Sequence, residues 1–596
     1  MFKKLTWISK IVGKPYSGRE AIYYSVVPTI NRAERHGIIN GFPTWIFSWP
    51  QTEYPYFIFK GHYRAQGSHL CGTIQEHKKM ISNQNKQLPG TGSTAPPSSI
   101  YTSKKRHPLY TLLLVILPIV LLYSIVETAS AAYRGNSQLS IQIGNGQAGL
   151  VDLNQSLPVS PYLLGVNVFP QAGSDSLDKA GSGFMSYAPS VVNGLRSAHI
   201  RLLRFPGGEW GEMHELSPAQ LNDFATLLTQ TGADGIVQVP LSNPAGQTNS
   251  LAARASRAGL LVDYMNDRQS VQRTGNLAQA PFHPIKFWTV GNEPDRLTNP
   301  DTGRKYTVSE YVQTFIQFSI AMHQIDPTIQ VFGPEISQYG GPSKDPIDAQ
   351  GKHWMAAFLT GVSTYERLHP DPHFHLLDGI SFHRYPFDNA SNVSTALLQS
   401  SNEWDTSIPS LRQQIRQDFG YDIPVAVTEV NTNPGSQVPQ AGFASLWWAD
   451  TLGRLMSQQT EFVAFFSAEG VDTPYPLFNS HDLQATSMLR TMQLFAHLQA
   501  NFIPVQMSHD PVGVYATQDA THQTLSLLFV NKANSTQQVT ISPESGILPF
   551  APWHSLDVTL QGYSIVVVTM HRNGSTESDS LSLNNDTTHG LVHTNL

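Results

Sequence analysis

From about residue 160 to about residue 500, short apolar runs alternate with longer stretches whose apolar residues recur at helical spacing. This is the pattern of repeated βα units that build a parallel sheet. Eight such runs stand out: LLGVNVF from Leu163, IRLLRF from Ile200, GIVQVPL from Gly235, IKFWTVGN from Ile285, QVFGPE from Gln330, DGISFHRY from Asp378, PVAVTE from Pro424 and FVAFFSAE from Phe462. Their starts lie roughly 35 to 50 residues apart, and eight strands close a (β/α)8 barrel. Helix starts between the runs agree: Ser217-Pro218-Ala219-Gln220 sets out a cap, a first-turn proline and a capping-box Gln, and Thr307 with Glu310 repeats the box. After about residue 500 the period drops to two, in VGVYATQ, TLSLLFVNKA, QQVTIS, HSLDVTL and YSIVVVTM, with Asn, Gly and Pro at the breaks. The predicted fold class is therefore α/β: a (β/α)8 TIM barrel over residues 155–500 and an antiparallel β-sandwich over 501–572. Strand-like segments in 137–154 are candidates to join that sandwich. Residues 573–596, polar and low in aromatics, are expected to be a disordered tail.

The region ahead of the barrel is of another kind. Residues 108–126 (PLYTLLLVILPIVLLYSIV) carry no charge over 19 positions and follow Lys104, Lys105 and Arg106. That length crosses a hydrocarbon layer, and the positive flank belongs on the inside. The segment is predicted to be a transmembrane helix that anchors an extracytoplasmic protein. A small-residue site at Ala129-Ser130-Ala131 leaves open a signal helix cleaved near Ala131. Residues 1–107 carry no assigned function: 1–79 show no clear period, and a Ser/Pro/Gly-rich linker follows them. Met80, just ahead of that linker, is a candidate start for an exported chain.

Composition narrows the functional classes. At 596 residues the chain exceeds a single core, and 40% hydrophobic residues with 10% aromatics suit folded domains. A formal net charge of −6 provides no basic field for phosphate backbones, so nucleic acid is not an expected partner. The single cysteine, Cys71, excludes an internal disulfide, and it excludes thiol catalysis or a cysteine metal site in the barrel.

In a barrel of this kind, chemistry sits where strands end at the carboxyl face. The fourth run closes on Asn292-Glu293-Pro294 and the seventh on Thr428-Glu429. Strands four and seven face each other across the mouth, and glycoside hydrolysis requires such a carboxylate pair. A gap near 5 Å would mean retention of configuration by double displacement, and one of roughly 7 to 9 Å inversion. His383 and Tyr385, spaced by two, point to the same side of their strand and suit orienting a nucleophile by hydrogen bonds. Arg204 precedes Phe205-Pro206-Gly207-Gly208, where glycines permit a tight turn at the mouth, and its guanidinium needs a carboxylate such as Glu429. Glu335, Glu469, Glu209 and Trp210 fall on top loops as candidate substrate contacts.

WTVGNEP on strand four, SFHRYP on strand six and VTEV on strand seven resemble signatures of the clan A glycoside hydrolases. IRLLRFPGGEWG is similar to the strand-two segment of its arabinofuranosidase-like and heparanase/β-glucuronidase-like families. The resemblance spans about residues 155 to 500 and implies a carbohydrate substrate and a retaining glycosidase. It further implies Glu293 as acid/base, Glu429 as nucleophile and Asn292 as donor to the sugar 2-hydroxyl, with Arg204 supporting the nucleophile and His383 and Tyr385 in the same cleft. Strand eight departs from it, reading FFSAEG where many clan members carry a Trp platform. Glu293, beside an anion, is expected to have a raised pKa. The alternative is a surface-anchored carbohydrate-binding protein with a non-catalytic barrel. No cofactor or metal is implied. Gly144-Asn145-Gly146-Gln147-Ala148-Gly149 has dinucleotide-binding spacing but is followed by strand-like alternation, as in a hairpin. His369, His373 and His375 crowd a Pro-containing loop without helical metal-ligand spacing.

Overall fold

The computed structural model describes residues 138–144, 147–172, 183–243, 250–276, 281–387, 394–432, 440–469, 475–543, 555–583 and 590–596. The predicted membrane segment at 108–126 lies outside them, and among the described residues no helix is long and apolar enough to cross a membrane.

Eight parallel strands close a barrel in chain order: Leu164–Asn167, Leu202–Phe205, Asp234–Val239, Phe287–Val290, Gln330–Ile336, Gly379–Arg384, Val425–Val430 and Phe462–Phe465. Val463 pairs with Leu164 to seal the ring. Each strand coincides with one of the eight apolar runs, overrunning it by at most one residue, because a parallel sheet buried on both faces needs apolar side chains on both. Both predicted capping boxes form, at Ser217/Gln220 on helix Pro218–Thr231 and at Thr307/Glu310 on helix Val308–His323.

Alternation along the strands layers the barrel interior. Leu202, Ile236, Phe287, Phe332, Ala426 and Phe462 form a closed apolar plug. Two residues further along the same strand faces stand Arg204, Gln238, Thr289 and Thr428, all buried and all polar. The barrel therefore changes from oil to polar network within one strand period, at its carboxyl end.

The remaining strands form two antiparallel sheets. Gln138–Ile143 pairs with both Gln147–Asp152 and Gln537–Pro543, so the segment ahead of the barrel belongs to the five-stranded C-terminal sheet. Gln147, Ala148 and Gly149 of the glycine-rich run stand in a strand that pairs antiparallel with Gln138–Ile143, and not in a helix. The seven-stranded sheet buries one face against the five-stranded one, through Val514, Leu527, Phe529, Val566 and Val568. Tyr515, Leu528, Val530, Ile565 and Val567 of its other face join the core of the barrel and its helices. Val512–Gln518 is consequently buried at all seven positions.

The tail expected over 573–596 is ordered in part. Thr576–Ser582 pairs antiparallel with Ser564–His571, and Val592–Asn595 pairs with Thr576–Ser582. Its serines and threonines fit a pleated edge, and Leu581 and Leu583 are buried in the barrel-side core.

Candidate active site

Arg204 is the hub of the polar layer. It is fully buried; Nη1 donates to Glu429 Oε1 at 2.8 Å and to Asn167 Oδ1 at 2.7 Å, and Nη2 to Glu335 Oε2 at 2.8 Å and Asn292 Oδ1 at 2.9 Å. Strands one, two, five and seven and the loop after strand four thus meet at one guanidinium, whose planar fork suits several carboxylate and amide acceptors at once. Tyr385 donates from its hydroxyl to Glu429 Oε2 at 2.7 Å. Each Glu429 oxygen is accordingly held by its own donor, which fixes the carboxylate plane.

Glu293 sits three residues past strand four at φ 44°, a strained conformation for a residue with a side chain. Its backbone N–H donates to the Glu335 carbonyl at 2.8 Å, and the preceding N–H, that of Asn292, to Glu212 Oε1 at 3.0 Å. Glu212 also accepts from Leu241 at 2.9 Å and Ser242 at 3.0 Å. Burial pushes its carboxyl up to about 7, against the pull of those backbone donors.

His383 stands between the two predicted catalytic carboxylates. Nδ1 lies 3.2 Å from Glu293 Oε1 and 3.4 Å from Glu429 Oε2, and Nε2 lies 3.3 Å from Glu335 Oε2. Burial disfavours its charge, but Glu429, Glu293 and Glu335 outweigh that and raise its pKa to about 10. The ring is then an imidazolium at neutral pH. The raised pKa expected of Glu293 is reversed for this reason. Burial favours its neutral form, yet the hydrogen bond and charge of His383, then Arg296 and Arg204, hold it below the usual carboxylate range. Arg296 Nη1 lies 3.4 Å from Glu293 Oε2.

Among the described residues, Glu293, His383 and Glu429 are the one trio of potential metal ligands, their atoms within 4.8 Å of one another. Their donors are already committed: a protonated His383 has no lone pair for a metal, and Arg204 and Tyr385 occupy Glu429. Of the loop histidines, His369 stacks on Tyr365 at 4.3 Å, and His375 approaches Glu366 at 3.9 Å.

Three of the expected substrate contacts are engaged within the protein. Glu335 is fully buried beneath Arg204 and His383. Trp210, in the short helix Glu209–Met213, packs its ring on His214 at 4.5 Å and against Phe184 at 5.7 Å. Glu469 is 3% exposed, accepts the Ser186 N–H at 3.1 Å and is raised to about 7 by burial against that bond. Conversely, Asn167, Gln238, Glu212, Thr428 and Phe466 belong to the site without having been singled out in the sequence. Phe466, just past strand eight in FFSAEG, stands edge-on to Tyr385 at 6.3 Å. Its only sequence signal is that position.

Gly208 shows how tight the packing is. At φ 60° a Cβ there would sit 3.2 Å from both Glu429 Oε1 and the Phe466 ring. Gly208→Ala is expected to cost about 1–3 kcal/mol in backbone strain. By pressing on Glu429, it should also lower kcat at least about tenfold. Melting and steady-state kinetics on the same preparation separate the two effects.

No protein-family profile and no curated protein matches the sequence. Among solved structures, a family 51 alpha-L-arabinofuranosidase from Bifidobacterium longum superposes with a TM-score of 0.53 at 16% identity, over 70% of this chain and 96% of that one. A bifunctional glucanase-xylanase from a metagenome library gives 0.49 at 13%, over 72% and 98%. A GH51 alpha-L-arabinofuranosidase from Thermotoga petrophila gives 0.48 at 14%, over 72% and 100%. This chain, a (β/α)8 barrel with two antiparallel sheets, is similar in fold to the first of these.

Proposed function

We propose that the chain is a glycoside hydrolase that cleaves O-glycosidic bonds of a carbohydrate substrate with retention of configuration, Glu293 acting as acid/base and Glu429 as nucleophile. The observation that carries this reading is the approach of the two carboxylates: oxygens from each lie within 4.8 Å of one another. That approach supports direct attack on the anomeric carbon, since retaining sites hold their carboxyl groups about 5 Å apart and inverting ones roughly 7 to 9 Å. A barrel shared with an enzyme named for arabinofuranoside cleavage is consistent with it, as one of many activities this fold hosts.

The geometry supports a double displacement. Arg204 and Tyr385, one on each Glu429 oxygen, hold the carboxylate for in-line attack, a positioning that lowers the entropic part of the barrier. Glu293 delivers to the departing oxygen a proton that it shares with His383 across the 3.2 Å contact, so the two titrate as a unit. When Glu429 becomes esterified, Glu293 accepts a proton from the water that releases the sugar. Asn292, anchored by Arg204 and Glu212, presents its side-chain amide beside the sugar 2-hydroxyl, and Phe466 offers the sugar an apolar face. The uncharged run at 108–126 behind basic residues supports a location outside the cytoplasm, on an anchor or after export.

A panel of aryl glycosides tests the reading: pentofuranosides, pentopyranosides, hexopyranosides and hexuronides. Aryl release from at least one is expected, with the first-formed sugar keeping the anomeric configuration of the substrate by proton NMR. Inverted product would remove the double displacement. Binding of oligosaccharide without release from any substrate would leave only a carbohydrate-binding protein.

A further inference from the structure

We propose that Glu335 is the positioning residue of this site: locked between Arg204 and His383, it holds the imidazole with Nδ1 turned as a donor into the gap between Glu293 and Glu429. This inference rests on the glycosidase reading for its kinetic consequences, and on the geometry alone for the state of His383.

Glu335 has no free valence for substrate. Oε2 accepts from Arg204 Nη2 at 2.8 Å and faces His383 Nε2 at 3.3 Å, and Oε1 accepts from the Thr428 hydroxyl at 2.8 Å. Its side chain is fully buried. A carboxylate in that position must be paired, and both its cationic partners belong to the site.

The consequence falls on His383. With Nε2 committed to an anion, the ring carries hydrogen on both nitrogens, and Nδ1–H is divided between Glu293 and Glu429. Were Glu335 uncharged, a single ring hydrogen would suffice. Placed on Nε2, it would leave the Nδ1 lone pair facing two carboxylates at 3.2 and 3.4 Å, a repulsive arrangement. The charge on Glu335 thus holds the second ring hydrogen, on Nε2, and with it the positive charge that His383 presents to the reacting pair through Nδ1–H. The groups facing His383 are Glu293 after strand four, Glu335 on strand five and Glu429 on strand seven. Arg204 on strand two closes the circuit through Glu335 and Glu429. Three carboxylates face two buried cations, Arg204 and His383, with Arg296 at the rim beside Glu293, and the shared hydrogen on His383 lies where Glu293 can draw on it. Burial acts to raise the Glu335 carboxyl, but Arg204 and His383 hold it at about 2, so it remains an anion throughout the working range.

Glu335→Gln keeps the shape and removes the charge. With histidine labelled at ring carbon Cε1, NMR titration of the full chain should show His383, assigned by the signal missing in His383→Gln, titrating at least one pH unit lower in Glu335→Gln than in the parent. On the best aryl glycoside, kcat should fall at least tenfold with KM within threefold. The alkaline limb of the kcat/KM profile should move to lower pH, because removing a negative charge lowers the proton affinity of the whole cluster. Glu335→Asp, which keeps the charge but shortens the reach, should lose kcat with the limb unmoved. Near-UV circular dichroism establishes that each variant is folded; if the Gln variant is not, the Asp variant decides, and parental kcat there overturns the proposal. A His383 titration unchanged in Glu335→Gln, or tenfold loss with no movement of limb or titration, also overturns it. A parent inactive on every glycoside with the His383 shift intact would instead remove the glycosidase reading and leave the role of Glu335 standing.

Discussion

Glu429→Gly is expected to lose more than about 10⁴-fold in aryl glycoside turnover, and sodium azide is expected to restore product as a glycosyl azide of inverted configuration. The glycine leaves a hole on the face of the sugar opposite the leaving group, bounded by Arg204 Nη1 and the Tyr385 hydroxyl, the two donors that held the carboxylate. A small anion in that hole inherits both donors. It attacks the anomeric carbon once, and no ester forms. Glu293→Ala should behave in the opposite sense: glycosylation of Glu429 proceeds where the aryl leaving group needs little protonation, and azide then attacks the ester to give the retained glycosyl azide. With a poor leaving group, the same variant should lose about 10²–10⁴-fold, the usual worth of a general acid. Chiral analysis of the two azides by NMR checks the assignment. Retained azide from Glu429→Gly would exchange the roles of the two residues. No azide product from either variant would remove the covalent intermediate.

Much of this was legible because the barrel strands carry a local signal. Phe287–Val290 and Val425–Val430 are buried throughout, so their runs are uninterrupted, and the residues that close such runs reach the mouth. Glu293, Asn292, Arg204, His383 and Tyr385 were found in this way and meet in one network. Glu335 was misplaced because the pairing of strands five and six shifts register between Pro334 and Ile336. That irregularity turns Glu335 into the barrel, where strict alternation from the inward-facing Phe332 would have turned it outward. Asn167, Gln238 and Thr428 were missed for another reason. Asn167 and Gln238 end no run, Thr428 stands beside the more conspicuous Glu429, and the meaning of all three depends on which strands are neighbours around the ring, which no local pattern carries. The tail was misjudged on composition: Thr576–Ser582 has a single leucine, and its order comes from a neighbouring strand that a polar sequence does not announce.

The second large effect lies away from the cleft, where the sandwich meets the barrel. Asp450, on helix Ala441–Ser457, is fully buried. Oδ2 accepts from Ser401 at 2.5 Å, from Lys532 Nζ at 3.0 Å and from Arg454 Nε at 3.3 Å, and Oδ1 accepts from Tyr515 at 2.7 Å. Tyr515 and Lys532 come from the C-terminal strands and their turns, the rest from the barrel helices, so one carboxylate ties the two parts together. Asp450→Ala strands Lys532, 3% exposed, and Arg454, 2% exposed, with one carboxylate partner each, Asp510 and Asp405. Removing one member of a buried charge network costs about 3–5 kcal/mol, which at this size should lower the melting temperature by about 5–10 °C. Burial opposes ionisation of Asp450, but Lys532 and Arg454 hold its pKa below the ordinary aspartate value. Its stabilisation is therefore complete above the unfolded pKa of about 3.9 and is lost as pH falls through the lower folded one. Thermal scans between pH 3 and 7 should show parent and Asp450→Ala far apart at the neutral end and converging at the acid end. A constant gap across that range would mean that the carboxylate acts through packing alone. At temperatures where both are folded, kcat should be the same, since Asp450 makes no contact with Glu293, His383 or Glu429.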